Sequence, residues 1–299
     1  MKTKVFAALF FVMGVSVASA QIKLSFNPNK GDKYEYQTEV LQNITQNVMG
    51  QEIPIEMEMS QKYLMVIKDK SSQEITAQYT YKEMSYIVSS PMMKMGYDSR
   101  NPIENPSEID KLVGKMLGAF IDQSFTVVFA PDGSVKSISG MDEIVGKMID
   151  VVSPDDAMAA PLIASMQQQF GEDAMKTSFG QSFKIYPANA VKPGDSWNSK
   201  STTTANNMNV ELNTTYSLKS NNKNVAIIDA VSEMNMTPGE GMEGNITGTQ
   251  NGTMTLDSKT GIQISSDISQ ALKGTLHVQG MDVQMDLSTK MKSSITKVK

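Results

Sequence analysis

Long runs of alternating polar and apolar residues at both ends of the chain constrain its fold more than any other feature. Alternation extends over residues 34–40, 55–59 and 63–67 in the first third, and over 210–218 and 283–287 before a lysine-rich end. Successive side chains of a β-strand point to opposite faces, so this period of two indicates antiparallel strands that are solvated on one face. We therefore expect β-sheet at both ends of the chain.

The centre of the chain changes to a helical period. Apolar residues follow the i, i+3, i+4, i+7 spacing across residues 109–120, and Ser107 is the predicted N-cap of this helix. A hairpin that turns at residues 131–133 follows, and a second helix is predicted over 144–152. A third, less regular helix is predicted over 155–171.

These periods predict an α+β fold that is mostly β. We expect a strongly curved, half-barrel-like antiparallel sheet with a central helical insertion packed on its concave face. After a signal peptide at 1–20, residues 21–299 form a single β-rich domain. Within this domain we expect a first β-meander at 21–100, a helical centre with a hairpin at 101–190, and a second β-meander at 191–299.

Short matching segments mark the start and the end of the two β-rich stretches. A Gly-Asp-x-aromatic sequence opens each of them, at residues 31–34 and 194–197. An Asp-Ser-basic sequence closes each of them, at residues 98–100 and 257–259. This pattern predicts an internal duplication of a β-meander.

The first twenty residues have the pattern of a secretory signal peptide. Lys2 and Lys4 precede an apolar run over residues 5–17, and Ala18-Ser19-Ala20 is an A-x-A cleavage site. The run is shorter than the roughly 20 apolar residues that span a bilayer. We expect cleavage after Ala20, a periplasmic or secreted protein, and no transmembrane segment in the mature chain. Because cysteine is absent, disulfides and a lipoprotein anchor are excluded.

The charge of the chain argues against nucleic acid as a partner. The formal net charge is −5, and it becomes more negative when Lys2 and Lys4 are removed with the signal peptide. Arg100 is the only arginine. Phosphate backbones require a basic surface, and arginine is the side chain that best recognises phosphate and guanine edges.

Two patterns that resemble chemical motifs favour structural explanations. Residues 239–244 read G-x-G-x-x-G, but no helical pattern follows, and Glu240 and Glu243 would repel a phosphate. His277 is the only histidine, so a two-His zinc site cannot form, and any Ser-His-Asp triad would have to use this residue. We predict no cofactor, no metal site and no enzymatic activity. A hydrolase that uses two carboxylates is the less favoured alternative.

Methionine is the outlier of the composition, with 24 residues in the chain. Three explanations stay open: an adaptable filler of the core, thioether ligands for Cu(I), and the lining of a cavity for an apolar ligand. The third explanation predicts the following ligand-cavity candidates: Met57, Met59, Met65, Leu112, Met116, Phe120, Met234 and Met236.

The signal peptide, the 31–34 opening, the 96–99 segment and the 131–133 hairpin after an amphipathic helix carry a resemblance over most of the mature chain. With these motifs the chain resembles an uncharacterised family of exported bacterial envelope proteins of about this length. The family has no assigned activity, so the resemblance transfers no catalytic residues. The expected architecture is similar to the half-barrel carriers of lipoproteins and lipids in bacterial envelopes, which is an analogy of fold alone.

These observations favour a non-enzymatic exported protein that binds or carries a lipid or another apolar ligand between its sheet and its helices. The helix at 107–120 is expected to fill the concave side of the sheet. The alternative is a structural or interaction protein of the cell envelope that has a fully packed core and meets an envelope protein at a strand edge. A cavity large enough for an acyl chain would distinguish the two.

Overall fold

A sheet of twelve antiparallel strands contains most of the described chain. The computed structural model describes residues 21–151, 164, 167–168, 170–205, 208–239, 243–278 and 280–299. The predicted signal peptide, most of the predicted helix at 155–171 and the centre of the G-x-G-x-x-G segment lie outside the described residues.

The strands are β1 (Lys33–Val48), β2 (Gln51–Lys70), β3 (Ile75–Ser89), β4 (Lys94–Asp98), β5 (Ser124–Phe129), β6 (Val135–Ser139), β7 (Ser196–Ala205), β8 (Met208–Asn222), β9 (Val225–Pro238), β10 (Glu243–Asp257), β11 (Gln263–Val278) and β12 (Met281–Val298). The helices are α1 (Glu108–Gly118), α2 (Met141–Asp150) and α3 (Glu172–Ser182).

The first and last strands pair with each other and join the two β-rich stretches into one sheet. The strand order is β6-β5-β3-β2-β1-β12-β11-β10-β9-β8-β7. β1 pairs with β12 along its whole length, from Lys33 opposite Val298 to Val48 opposite Val283. β4 and β5 lie on the same side of β3 and pair with its second and first halves, respectively. The prediction of a mostly β, antiparallel fold is confirmed.

The registers of the strands divide the sheet into an apolar and a polar face. Residues that oppose each other in an antiparallel ladder point to the same face, so rows of side chains can be traced across the strands. The opposite face carries exposed charges such as Glu56, Glu58, Lys290 and Lys292. One row of the apolar face contains Leu212, Met234, Gly248, Leu272, Leu287, Ile44 and Ile55.

The main core forms where α2 and the α3 region cover the apolar face of β3 and β5. Tyr79 stacks on Phe125 with ring centroids 5.3 Å apart, and Phe179 meets these two rings edge-on at 5.3 and 5.6 Å. Met141 and Met148 of α2 are fully buried in the same cluster. Offset and edge-on aromatic contacts of this kind stabilise a core beyond their area burial.

A second core lies on the apolar face of β8, β9 and β10. Residues 22–24 and 185–191 cover Leu218, Ile228 and Leu256 there, and all three of these side chains are fully buried. The two covering segments are themselves joined by a bridge between Ile22 and Val191. The chain therefore covers this part of the sheet with irregular segments rather than with helices.

The structure changes the role expected for the helix at 107–120. The predicted N-cap is confirmed, because the Ser107 hydroxyl accepts the Asp110 N–H and the Asp110 carboxylate accepts the Ser107 N–H. However, no residue of α1 is fully buried, and the helix packs against β4 and α2. The predicted helix therefore reaches the main core only at its end, where Met116 and Leu117 pack at the margin and Phe120 is buried, and it does not fill the sheet. Met141, Ile144 and Met148 show that α2, the second predicted helix, enters the core instead.

The lysine-rich end of the chain is also different from the expectation. β12 continues to Val298 instead of stopping after the alternating residues 283–287. Lys290 and Lys292 point to the polar face, while Met291 and Ile295 continue the apolar one. Lys290 and Lys292 are therefore strand residues of β12 whose side chains point to solvent.

The Gly-Asp turns that open β1 and β7 form the same backbone hydrogen bonds. In the first turn, the Gly31 N–H donates to the Ile67 carbonyl at 2.8 Å, and the Ile67 N–H donates to the Asp32 carbonyl at 2.9 Å. In the second turn, residues 194–195 form the equivalent pair of bonds with Leu218 at 2.8 and 3.0 Å. Both glycines have a positive φ, +87° and +95°, which favours glycine at this position.

Asp32 has more partners than its counterpart in the second turn. Its carboxylate accepts from the Asn29 N–H at 3.0 Å, the Tyr34 hydroxyl at 2.9 Å and the Lys297 ammonium at 2.7 Å, and its side chain is 12% exposed. Burial raises the pKa of this carboxyl, but the hydrogen bonds and the lysine charge outweigh it and hold the pKa below the usual range. Asp195 accepts one backbone N–H, from Lys192 at 2.9 Å.

We expect Asp32→Ala to lower the free energy of unfolding by about 2 to 3 kcal/mol and Asp195→Ala by about 1 kcal/mol, because the first carboxylate loses three partners. Urea unfolding of both variants measures this difference. A depressed carboxyl pKa stabilises the folded protein above the unfolded-state pKa of about 3.9, so the effect of Asp32→Ala should shrink as the pH falls below about 4. Equal effects of the two substitutions would contradict the assignment.

Glycines on β10 allow close contact with β11. Gly244, Gly248 and Gly252 point to the apolar face. A Cβ added at Gly248 would overlap the Ala271 carbonyl oxygen and lie 2.8 Å from the Leu272 Cα. Large side chains of β11 therefore occupy the space that these glycines leave.

We expect Gly248→Ala to destabilise the protein by about 1 to 3 kcal/mol, because backbone rather than a movable side chain obstructs the methyl group. The matched control is Gly146→Ala in α2, where an added Cβ meets no atom within 4 Å. That change should be neutral or stabilising by up to about 1 kcal/mol, since alanine is the better helix former. Thermal unfolding of both variants measures the contrast, and a neutral Gly248→Ala would refute the close approach.

Candidate functional site

The candidate site is the end of the apolar face that lies beyond the two covered cores. We call it the distal face. Its centre is a cluster in which Ile246 and Leu272 are each only 3% exposed. The other members of this cluster are Met208, Met234, Met236, Leu276, Met285 and Leu287.

All members of the distal-face cluster are strand residues of β8 to β12. Among the described residues, no helix belongs to this cluster, in contrast to the main core. Met234, Met236 and Met285 are partly exposed although they pack against the buried Ile246 and Leu272. Partly exposed apolar side chains that lie together on one face make this cluster the candidate interaction site.

A row of polar side chains crosses the apolar face next to the distal face. The hydroxyls of Thr214 and Ser232 bond to each other at 2.9 Å and are buried. Gln42 donates to the Thr289 hydroxyl at 3.1 Å. The row consists of Ser199, Thr214, Ser232, Gln250, Gln270, Thr289 and Gln42. Polar groups set in an apolar lining orient ligands that carry a polar group of their own.

We expect Thr214→Val to lower the free energy of unfolding by about 1 to 3 kcal/mol, because it leaves the buried Ser232 hydroxyl without its partner. The double variant Thr214→Val, Ser232→Ala should recover most of this loss, since both polar groups are then removed. Chemical denaturation of the two single variants and the double variant measures the coupling. Additive losses would show that the two hydroxyls do not depend on each other.

The structure places the predicted methionines on one face but not in one cluster. Met57 and Met59 of β2 lie half-buried on the apolar face, and Met234 and Met236 lie on the distal face. Met65 shares this face but is fully buried in the main core. Their role as ligand contacts stays a prediction.

The other three candidates lie at the helical centre. Phe120, directly after α1, is fully buried in the main core, where its ring meets Tyr81 edge-on at 5.1 Å. Met116 packs at the margin of this core, and Leu112 is half-buried on α1. The sequence interpretation missed Ile246, Leu272, Met285 and Leu287 as distal-face residues. Alternation places each of them on the apolar phase of its strand, but only the strand register brings them together.

Two clefts elsewhere contain carboxylates that act as structural hydrogen-bond acceptors. The first, of about 300 Å³, lies between β4 and α1, and its Asp110 accepts the Gly96 N–H at 2.8 Å. Hydrogen bonds from Ser107 and Gly96 lower the pKa of the Asp110 carboxyl. The second, of about 650 Å³, lies between α2 and α3, and its Glu172 accepts the Gly140 N–H at 2.8 Å. Both carboxylates satisfy backbone groups at helix starts or turns.

His277 lies in β11, as predicted, near the hairpin that joins β11 to β12. Its Nδ1 is 2.9 Å from a carboxylate oxygen of Asp282, and both side chains are exposed. Within the described ranges, no group of three or more His, Cys, Asp or Glu residues is arranged to hold a metal ion. None of the helices described is both long enough and apolar enough to span a bilayer.

Comparison with known families identifies the chain at the level of a family. Residues 72–263 match the family described as "Family of unknown function (DUF6263)". The chain belongs to this family. The predicted resemblance to an uncharacterised family is thereby confirmed, and the DUF6263 match includes two of the motifs that carried it, at 96–99 and 131–133. No curated protein sequence matches the chain significantly.

Similarities of this DUF6263 protein to solved structures are weak. A structure on lipid–protein interactions in lipovitellin matches with a TM-score of 0.45 and 9% identity, over 91% of this chain and 25% of that one. The chain thus spans about a quarter of the lipovitellin chain. OccK7 of Pseudomonas aeruginosa matches with a TM-score of 0.25 and 6% identity, over 90% and 100% of the two chains. A DUF1329 family protein from Desulfovibrio piger matches with a TM-score of 0.11 and 8% identity, over 85% and 83%. Similarities this low carry no argument about function.

Proposed function

We propose that this DUF6263 protein is a non-enzymatic, exported protein of the bacterial envelope that binds the apolar part of a lipid on its distal face. The observation that carries the proposal is an apolar sheet surface whose cluster, among the described residues, consists of strand residues alone, while α2 and the α3 region cover the apolar face of β3 and β5 and irregular segments cover part of β8 to β10. The signal peptide pattern at 1–20 supports the export step.

Curvature of the sheet would make the distal face concave. Ile246 and Leu272 are almost completely buried, although the cluster around them contains only side chains of neighbouring strands. A flat sheet would leave such side chains more exposed, so their burial supports a sheet that bends toward its apolar face. Gly244, Gly248 and Gly252 support the same inference, because glycines in strand interiors permit tight bends.

An internal repeat would account for the difference between the two halves of the sheet, of which the described helices fill the first. The equivalent Gly-Asp turns are followed by two antiparallel meanders, β1-β2-β3 and β7-β8-β9. Next to β3, the chain leaves the sheet after β4, forms α1 and returns as β5, whereas β10 runs without interruption along β9. In this proposal the helices fill the first half, and the corresponding surface of the second half is free for a ligand.

The lining of the distal face suits an acyl chain with a polar head. Methionine side chains are unbranched and polarizable, so they adapt to apolar ligands of different shapes. The neighbouring row of Ser, Thr and Gln side chains offers hydrogen bonds at one border of the apolar surface. An amphipathic ligand would place its chain on the distal face and its polar group toward that row.

The first test is native mass spectrometry of the mature protein purified from a bacterial periplasm, followed by solvent extraction and lipid analysis. We expect a reproducible adduct that extraction releases and that belongs to one lipid class. A clean apo mass, together with no binding of a panel of lipids, would overturn the proposal. That outcome would favour the alternative, an envelope protein whose partner adds to the edge strand β7.

A variant pair tests the position of the ligand. Met234→Gln with Met236→Gln should weaken the binding of a fluorescent fatty acid about tenfold, since the lost apolar contact corresponds to roughly 1.4 kcal/mol. The matched control is Glu233→Gln with Asn235→Gln, because these neighbours on β9 are exposed on the opposite face. Fluorescence titration measures both variants. Equal affinities of the methionine variant and the control variant would show that the ligand binds outside the distal face.

A further inference from the structure

Exposed methionines lie at three of the hairpin turns at one end of the sheet. Met49 lies in the turn between β1 and β2 and is 87% exposed. Met92, in the turn between β3 and β4, is 80% exposed, and its neighbour Met93 is 44% exposed. Met281, at the turn between β11 and β12, is 40% exposed. We call Met49, Met92, Met93 and Met281 the methionine tips.

The turns at the opposite end of the sheet have a different composition. They consist of residues 71–74 (Ser-Ser-Gln-Glu), 130–134 (Ala-Pro-Asp-Gly-Ser), 223–224 (Lys-Asn) and 258–262 (Ser-Lys-Thr-Gly-Ile). They contain no methionine, and their one large apolar residue, Ile262, is only 3% exposed and belongs to the main core. Hairpins of a sheet alternate between its two ends, so among the residues described, exposed methionines occur only at the end where β7 leads to β8 through the Asn-Asn sequence at 206–207.

Met49 occupies a backbone position that a methionine rarely adopts. Met49 and Gly50 both have positive φ, +53° and +83°, as the two central residues of a hairpin turn. Asn, Asp and Gly are the residues that favour this conformation. At the opposite end, Lys223 and Asn224 form the equivalent two-residue turn with φ of +51° and +67°. An exposed methionine at such a position has no local structural advantage, which indicates a role in contact with something outside the chain.

We propose that the methionine tips dock this protein on the surface of a phospholipid bilayer. The tips are convex and lie on separate hairpins of neighbouring and distant strands, which are spaced by about 4.8 Å per strand. Isolated apolar points of this kind enter the boundary between headgroups and acyl chains more readily than they fill one groove of a protein partner. Met281 begins β12, the strand that carries Met285 and Leu287 of the distal face, so docking would bring that face toward the membrane.

Charge near the tips predicts which membranes are bound. The charged residues beside these turns are Glu52, Lys94, Glu243 and Asp282. Their balance is acidic, so attraction to anionic lipids is not expected. Binding should therefore rest on apolar insertion and be similar for vesicles of phosphatidylcholine with and without phosphatidylglycerol.

Flotation with protein-free phosphatidylcholine vesicles tests the docking. We expect the wild-type mature protein to float with the vesicles, and the variant Met49→Gln, Met92→Gln, Met281→Gln to lose at least tenfold in the bound fraction. The matched control removes three exposed apolar side chains of β9, with Val225→Gln, Ile227→Gln and Val231→Gln. The control should float like the wild type.

Methionine oxidation by hydrogen peroxide gives a residue-resolved test. Exposed thioethers oxidise to sulfoxides, so peptides that contain Met49 and Met92 should react first in solution. Vesicles should slow their oxidation several-fold and leave the rates at Met57 and Met59 unchanged. Wild-type protein that stays unbound, a tip variant that floats normally, or tips that stay unprotected would each overturn the proposal, as would binding only in the presence of an envelope protein.

The docking proposal and the proposed lipid ligand can fail separately. Flotation is carried out with protein after solvent extraction, so it does not depend on a lipid already bound to the distal face. If the protein floats but shows no adduct in native mass spectrometry, the docking proposal stands and the proposal of a lipid ligand fails. If it shows an adduct but does not float, the ligand proposal stands and the docking proposal fails.

Discussion

The pairing of β1 with β12 is the contact on which the rest of the structure depends. It runs along the whole length of β1 and joins two meanders that are otherwise separated by the helical centre. Each row of the apolar face that crosses from β2 to β11 passes through these two strands. Because β1 is the first and β12 the last strand described, their contacts have a larger sequence separation than those of the other strand pairs, and such pairing forms late and at a high entropic cost.

The two sides of this central pair are covered differently, although they share their opening turns. On the side of β3 and β5, α2 and the aromatic rings around Tyr79 fill the apolar face. On the side of β9 and β10, residues 22–24 and 185–191 are the described segments that cover the face, and they cover one end of it. The distal face follows from this asymmetry. β10 runs along β9 without interruption. Its apolar side chains are therefore buried by side chains from neighbouring strands.

Local patterns were sufficient to predict the elements but not their arrangement. Alternation located the strands, and Ser107 as the predicted N-cap located the start of α1, because both signals depend on neighbouring residues. Neighbouring residues did not indicate that Lys290 and Lys292 lie within β12. The solvent-facing side chains of a strand and a polar segment outside the sheet have the same residue types. The register that brings Met234 opposite Gly248 and Leu272 next to Leu287 is non-local. For this reason the apolar phase of each strand was predictable, but the cluster was not.

The placement of methionine links the fold to its proposed partners. In a core, a flexible thioether loses more rotamer entropy than a branched side chain and specifies packing less well. At positions that remain partly exposed, such as Met234 and Met236, that entropy is largely retained, so the disadvantage is small. The same flexibility lets one side chain meet ligands or acyl chains of different shapes. Under both proposals, methionine on the distal face and at Met49 meets a disordered apolar phase, for which this flexibility is an advantage.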